Sequence, residues 1–188
     1  MQSHAIKVYR NHYEQWSREI QILNDLFHLQ CVNLITLIPG LSEIKSNYRT
    51  IAIENCCHGD MYMFVKTQRF SDELARTYFK QLHNAVSCLH KGKIFHRDIK
   101  LENILIDQDY TLKLSDFGIS LQSTSSKDPI SHERIGTLEY CAPEVLKADL
   151  YGGGYRCDGA DIWLMGIVCF AMITGKGKHH YIPTCLNK

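Results

Sequence analysis

The sequence predicts an α+β fold, with a small antiparallel β-sheet at the start of the chain and a mainly helical region after it. In the first third, apolar residues occur mostly in short runs bounded by polar and turn residues, as in β-strands. After Gly59 they recur at helical spacing. The predicted strands are 5–9, 32–38 and 49–55, and the main predicted helices are 13–28, 71–90 and 160–174.

The composition is that of an ordinary folded domain, since 45% of the 188 residues are hydrophobic and 22% are charged. The formal net charge of +1 gives no electrostatic reason to expect nucleic acid or an anionic membrane as a partner. The longest apolar run, 162–173, would rise only about 18 Å as a helix, against roughly 30 Å for a bilayer core. It predicts a helix buried on all sides. We expect a soluble intracellular protein in the cytoplasm, with the nucleus as an open alternative.

The eight cysteines form no C-x-x-C pair, and no histidine lies at zinc-finger spacing from a cysteine pair. Reduced and mostly buried thiols are therefore predicted.

Local signals define the individual elements. The helix at 13–28 places Trp16, Ile20, Leu23 and Phe27 on one apolar stripe, with Glu19 beside it. The helix at 71–90 has a serine at its start as the predicted N-cap, and a glycine ends it at position 92. Residues 102–106 and 111–115 predict a hairpin. The polar stretch 120–134 predicts a mobile segment.

The stretch HRDIKLEN, at 96–103, is a group of charged residues between two apolar runs, and the chain continues to Asp116-Phe117-Gly118 after a predicted strand. Phosphoryl transfer needs a carboxylate that accepts a hydroxyl proton, oxygen ligands for Mg²⁺ and a cation on the phosphoryl group. Asp98 suits the first role, Asn103 and Asp116 the second, and Lys100 the third.

These motifs resemble the signature set of the eukaryotic protein kinase family. The H-R-D-x-x-x-x-N loop is followed by D-F-G and then by A-P-E, in that family's order and spacing. The resemblance also includes an A-I-K strand and a D-x-W-x-x-G helix start. Five motifs carry it, at 5–7, 96–103, 116–118, 142–144 and 161–166.

The resemblance implies a bilobal kinase-like fold, present as one partial kinase domain over 1–188. The small lobe would comprise 1–55, the helical lobe 56–175, and an irregular tail 176–188. No G-x-G-x-x-G motif occurs in the sequence, so the Gly-rich loop is expected to be missing. The last helices of the helical lobe are also expected to be missing, which would leave Glu144 as a buried carboxylate without its partner.

The resemblance also implies ATP and Mg²⁺ as cofactors and a protein as substrate. Lys100 in the catalytic loop is typical of serine/threonine members. The implied catalytic residues are Asp98, Lys100 and Lys7, and the implied metal ligands are Asn103 and Asp116. The implied nucleotide-binding residues are Ala5, Lys7, Glu19, Glu54, Cys56, Asp60, Glu102, Asn103, Leu105 and Asp116.

Plainer interpretations stay open for some of these residues. Lys7 could be an exposed strand lysine. The 12-residue gap between Lys7 and Glu19 is shorter than is usual in the family, which makes this pair less certain than Asp98. Asp60 could cap a helix instead of contacting ribose.

The segment before the A-P-E motif predicts how the site is regulated. Thr137 matches the residue that contacts the catalytic base in serine/threonine kinases. Arg97 usually pairs with a phosphorylated residue at the position that Glu133 occupies. We therefore hypothesise that Glu133 supplies a fixed negative charge. The remaining candidate phosphorylation sites are Thr124, Ser125, Ser126 and Ser131.

Two functions from different classes follow. The first is an ATP-dependent protein serine/threonine kinase, completed or regulated by a protein partner. The alternative is a catalytically weak or inactive kinase fragment that acts as a protein-binding module.

Overall fold

The computed structural model describes residues 3–123, 129–148 and 153–175. We call 3–55 the small lobe and 56–175 the large lobe. The small lobe contains strand β1 (His4–Tyr9), helix α1 (Tyr13–Phe27) and strand β2 (Arg49–Glu54). The two strands pair antiparallel, with Lys7 opposite Ile51. The α+β fold class is confirmed.

The buried face of α1 differs from the predicted stripe. Leu23 is buried as expected, but Phe27 is 49% exposed, and Glu19 is among the residues that point inward. Relative to the prediction, the helix is rotated so that Glu19 faces the protein interior. There Glu19 meets the Lys7 ammonium and the Tyr9 hydroxyl, both on β1.

The predicted strand at 32–38 is not a regular strand, which corrects the prediction. Leu34 forms an isolated bridge with Leu114, and Leu37 forms one with Ile53. The segment thus bonds first to the large lobe and then to β2. Because its partners change along its length, no continuous ladder forms.

The large lobe is mainly helical, as predicted. Helix α3 (Asp72–Lys91) packs against helix α5 (Cys157–Thr174), and the hairpin expected at 102–115 is formed by strands β4 (Ile104–Ile106) and β5 (Leu112–Leu114). Ser71 caps α3 by accepting a hydrogen bond from the Leu74 amide at 3.2 Å. The large-lobe helices are α2 (Met61–Thr67), α3 (Asp72–Lys91), α4 (Pro143–Leu146) and α5 (Cys157–Thr174), with a 3₁₀ turn at Leu101–Asn103. The strands are β3 (Ile94–Phe95), β4 (Ile104–Ile106), β5 (Leu112–Leu114), β6 (Leu121–Gln122), β7 (Ile130–Ser131) and β8 (Tyr155–Arg156).

The polar stretch 120–134 contains two short strands that its sequence does not signal. Strand β6 pairs with β3, and β7 pairs with β8. Two-residue strands are specified by distant partners, so local composition could not reveal them. The candidate phosphorylation sites Thr124, Ser125 and Ser126 lie outside the described residues, as does the tail at 176–188.

Helix α5 begins three residues earlier than predicted and is not buried on all sides. Ile162, Phe170 and Ile173 are 57%, 39% and 42% exposed, so one face of the helix is apolar and accessible. By length and composition it is the one helix in the described part of the chain that could cross a membrane, but 44% of it is buried within the protein. A core helix meets the same criteria, so the evidence for a membrane span is weak.

Glu144 is exposed, so the expectation of a buried carboxylate was wrong. It lies in the first turn of the short helix α4, whose buried residues are Val145 and Leu146. The carboxylate therefore stays hydrated and has no desolvation cost to offset.

The buried carboxylate in this region is Asp161, which has no exposed surface. One oxygen accepts the backbone N–H of Arg97 at 2.8 Å, and the other accepts the backbone N–H of His96 at 3.0 Å. The ring of His90 contacts that second oxygen at 2.8 Å. Helix α5 thus holds the loop after β3, and this loop contains Asp98.

We expect Asp161→Asn to destabilise the fold by about 1–3 kcal/mol, because an amide NH₂ must then face a buried backbone N–H. Urea unfolding followed by circular dichroism measures this cost. Asp158→Asn is the matched control in the same helix, because its pair with Arg156 is an exposed one worth about 0–1 kcal/mol. Equal costs for the two variants would contradict the anchoring role of Asp161.

Candidate active site

Asp98 is the central carboxylate of the candidate site and is only 8% exposed. Its Oδ1 accepts the backbone N–H of Thr137 at 3.0 Å and the Thr137 hydroxyl at 2.7 Å. Its Oδ2 accepts the Lys100 ammonium at 2.6 Å and the side-chain NH₂ of Asn103 at 3.1 Å. Four donors therefore fix its orientation, which is the requirement for a base that must meet a hydroxyl.

Lys100 bridges two parts of the site. Besides Asp98, its ammonium donates to the Thr137 hydroxyl at 2.8 Å. The segment before α4 is thereby connected to the loop that carries Asp98. Lys100 retains 20% side-chain exposure, so its charge lies at the edge of the site.

Asn103 and Asp116 offer oxygen atoms of the kind that Mg²⁺ prefers. The Asn103 NH₂ is engaged by Asp98, which leaves the amide oxygen as the atom that can face a cation. Among the described residues, no group of three or more His, Cys, Asp or Glu side chains could hold a metal. A metal at this site would therefore take further ligands from a phosphate and from water, as Mg²⁺ commonly does.

Lys7 lies between two carboxylates. Its ammonium is 2.8 Å from Oε2 of Glu19 and 2.8 Å from Oδ1 of Asp116. The 12-residue gap between Lys7 and Glu19 therefore does not prevent the ion pair. The plainer interpretation of Lys7 as an exposed strand lysine does not fit, because its side chain is 32% exposed and doubly paired.

Tyr9 is a residue that the sequence interpretation missed. It follows Lys7 by two positions on β1, and its side chain is buried. Its hydroxyl donates to the same Glu19 oxygen that binds Lys7. Burial, with the Glu19 charge second, raises the pKa of the Tyr9 hydroxyl above its usual range, so the group is a neutral donor. The alternation of β1 could have placed Tyr9 on the same side as Lys7, but not against Glu19.

The charges of this cluster shift pKa values in opposite directions. Burial alone would raise the pKa of Asp116, but the Lys7 charge and hydrogen bond outweigh it and hold the pKa below the usual value. Burial alone would lower the pKa of Lys7, but the charges of Glu19 and Asp116 raise it on balance. Both groups are therefore fully charged at neutral pH.

The residues predicted to contact the nucleotide base lie along the junction of the lobes. Ala5 pairs with Ile53 in the β1–β2 ladder. The Glu54 side chain is turned away into an ion pair with Lys113 at 3.0 Å, so only its backbone could meet a base. The Cys56 carbonyl accepts from the Gly59 amide at 3.0 Å. Their nucleotide contacts stay predictions.

Asp60, Leu105 and Glu102 form the next part of this junction. Asp60 caps α2 by accepting the Met63 amide at 3.0 Å, which is the plainer of its two predicted roles. Leu105 is half-buried and bridges to Asp60. The Glu102 carboxylate lies 3.5 Å from the Tyr140 hydroxyl, toward the segment before α4. Any contact of these three residues with a nucleotide stays a prediction.

Arg97 connects the catalytic loop to the segment before α4. Its side chain is 2% exposed and donates to Glu133 at 2.8 Å and to the Ser131 hydroxyl at 3.1 Å. Glu133 itself is 63% exposed. The charge pair hypothesised from the sequence is therefore present in the structure.

The fold and this arrangement of residues define a protein kinase domain, and comparison with known proteins agrees. The family model described as a protein kinase domain matches residues 2–181. The chain belongs to this family.

CBL-interacting protein kinases of plants are among the curated relatives that the chain matches. CBL-interacting protein kinase 26 of Oryza sativa subsp. japonica is 35% identical over 167 residues, which cover 88% of this chain and 32% of the relative. CBL-interacting serine/threonine-protein kinase 10 of Arabidopsis thaliana is 36% identical over 168 residues, covering 89% of this chain and 33% of the relative. CBL-interacting serine/threonine-protein kinase 14 of the same plant is 38% identical, covering 88% and 35%. The chain thus spans about a third of the length of these relatives.

The Lys7–Asp116 pair makes stability depend on pH in a defined direction. Because folding lowers the pKa of Asp116, its contribution is fully present above the usual value of 3.8 and is lost as the pH falls through the lowered one. We expect Asp116→Asn to lower the Tm at pH 7, with the difference from the unsubstituted chain shrinking as the pH falls below about 4. Thermal unfolding between pH 3 and pH 7 tests this, with Asp109→Asn as an exposed control. A constant difference over that range would contradict the pairing.

Proposed function

We propose that this chain carries the catalytic centre of a protein serine/threonine kinase, which transfers the γ-phosphoryl group of ATP to Ser or Thr hydroxyls of a protein. The supporting observation is the orientation of Asp98, whose two oxygens receive four hydrogen bonds from Thr137, Lys100 and Asn103. A carboxylate held in this way can accept a proton in a fixed direction.

Bound ATP with Mg²⁺ supplies the phosphoryl group and neutralises its charge. In the proposed site, Asn103 and Asp116 hold the metal through hard oxygen donors, and Lys7 binds the phosphates. The carboxylates of Glu19 and Asp116 orient the Lys7 ammonium. The adenine ring of ATP would lie against Ala5 and Leu105 and would form hydrogen bonds with the backbone of Glu54 and Cys56.

Asp98 accepts the proton of the substrate hydroxyl in this proposal. Lys100, held between Asp98 and Thr137, places a positive charge where the transferred group becomes more negative. This lysine–threonine link supports Ser and Thr over Tyr as acceptors.

The proposed partners are a protein substrate and a regulatory or completing protein, since the names of the relatives describe interaction with CBL. The proposed location is the cytoplasm. The competing proposal is a kinase fragment that binds another protein without catalysis. Both proposals are compatible with the fold, and nucleotide binding distinguishes them.

Isothermal titration calorimetry of the 188-residue chain with ATP, in the presence and absence of Mg²⁺, tests the proposal. We expect Mg²⁺-dependent binding that Asp116→Asn abolishes and Asp109→Asn preserves. A folded chain that binds no ATP would support the non-catalytic alternative. Circular dichroism of each sample separates loss of binding from loss of folding.

Asp98→Asn should lower the rate of phosphoryl transfer by about 10²–10⁴-fold, the usual contribution of a positioned base. Radiolabelled phosphate transfer to a generic Ser/Thr substrate measures the rate. ATP affinity should change little, because Asp98 is assigned to the hydroxyl and not to the nucleotide. A parallel loss of affinity and rate would contradict this division of roles.

Glu133→Arg should lower the rate at least about tenfold, because it replaces the counter-charge of a nearly buried guanidinium with a like charge. Glu133→Gln should have a smaller effect, since the amide can still accept a hydrogen bond. Glu43→Arg makes the same charge change at an exposed ion pair and is the control. Full activity of Glu133→Arg would refute the fixed-charge hypothesis.

A further inference from the structure

The segment 29–33, which connects α1 of the small lobe to the rest of the chain, lies along the surface of α3 in the large lobe. At one end, Asn33 donates to Gln81 at 3.2 Å and accepts from Asn84 at 2.9 Å. At the other end, a Cβ placed on Gly92 would lie 3.3 Å from Cδ1 of Leu29. The segment therefore runs antiparallel to the helix, between residues 81 and 92.

This direction places Cys31 opposite the middle of that helical stretch. The Asn84 side-chain NH₂ is 3.8 Å from Sγ of Cys31. Cys88 is one helical turn after Asn84 and on the same face, because residues four apart in an α-helix are neighbours. The Cys88 side chain accordingly lies on the part of α3 that faces Cys31, close enough for the two thiols to influence each other electrostatically.

Both cysteines are half-buried and reduced. A cavity of about 320 Å³, lined by residues of α1 and of the segment that follows it, includes Cys31 in its wall. A small oxidant such as hydrogen peroxide fits in a space of this size. The surroundings thus give a peroxide access to Cys31, with Cys88 on the facing helix.

We propose that Cys31 and Cys88 are an oxidative modification site, at which a peroxide converts the two thiols into a disulfide that joins the small lobe to the large lobe. One thiol loses its proton, and its sulfur attacks a peroxide oxygen. The O–O bond breaks, and a sulfenic acid and water form. The second thiol then attacks the sulfenic sulfur, the S–O bond breaks and a second water leaves. The two thiols lose two electrons, and the peroxide gains them.

The pair is stable as thiols at rest. Burial, followed by the hydrogen bond with Cys88, raises the pKa of the Cys31 thiol to about 11. A thiol of such high pKa reacts slowly, because the thiolate is the nucleophile. Sustained oxidant is therefore required, and brief exposure leaves the pair reduced.

Tryptic mapping tests the proposal on the whole 188-residue chain. Cleavage after Arg18, Lys45, Lys80 and Lys91 gives peptides 19–45 and 81–91, and each contains one cysteine. After incubation with hydrogen peroxide and blocking of free thiols, mass spectrometry should find these two peptides cross-linked, with the loss of two hydrogens. Reductant should separate them.

Cys31→Ser and Cys88→Ser should each abolish the cross-linked product, while Cys169→Ser, which removes a half-buried cysteine on α5, should preserve it. The oxidised chain should also show a higher Tm that reductant reverses, and Cys88→Ser should lack this rise. Oxidation in urea should give mixed cysteine pairings, because the fold would no longer select this one.

Two results would overturn the proposal. The first is a folded chain in which oxidised Cys31 carries only sulfenic or sulfinic acid and no cross-link to 81–91. The second is a yield of the cross-link that is the same in urea as in the folded chain. Neither result bears on ATP binding, so the outcome is independent of the proposed kinase activity.

Discussion

Asp161 has no exposed surface, so its carboxylate is stabilised by hydrogen bonds from the protein and not by water. Backbone N–H groups of His96 and Arg97 and the ring of His90 surround it. Arg97 has a φ of 67°, in the left-handed region, which costs a residue with a side chain roughly 1–2 kcal/mol. The carboxylate stabilises this backbone turn, and Asp98 is the next residue along the chain. Asp161 on α5 thus fixes the backbone just before the candidate base, whose carboxylate is then oriented by Thr137, Lys100 and Asn103.

The second half of the site depends on a similar arrangement. Asp116 also has a left-handed φ, of 69°, and its carboxylate is held by Lys7. Arg97 and Asp116 are two of five described non-glycine residues with a positive φ, and they lie on the two loops that carry the candidate carboxylates. Each of these loops is held by a charged group from elsewhere in the fold. The loop of Asp98 is fixed within the large lobe, whereas the loop of Asp116 is fixed by a strand of the small lobe. The position of the small lobe, acting through Lys7, therefore affects where the Asp116 carboxylate lies relative to Asp98.

The sequence predicted the parts of this arrangement that local patterns encode. The strand of Lys7, helix α3 with its Ser71 cap, and the hairpin of β4 and β5 follow from periodicity and capping. The parts it did not predict are contacts between distant residues. The hydrogen bond of Tyr9 to Glu19, the pairing of β6 with β3, and the contact of Cys31 with Asn84 depend on the packed fold. The rotation of α1 was missed for the same reason, since a helical stripe cannot show that an acidic residue has an inward partner.

Arg97 is held both through its backbone and through its side chain. Its backbone N–H is bound by Asp161, and its guanidinium is bound by Glu133 and Ser131. The segment before α4 therefore contacts the catalytic loop at the residue that already holds the strained turn. Since Thr137 from that segment also bonds to Asp98, the segment is attached to two consecutive residues of the loop, Arg97 and Asp98. Displacing it would remove hydrogen bonds from Asp98 and a counter-charge from Arg97 together. This coupling is the physical reason to expect that the acidic side chain at position 133 affects the orientation of Asp98, with which it makes no direct contact.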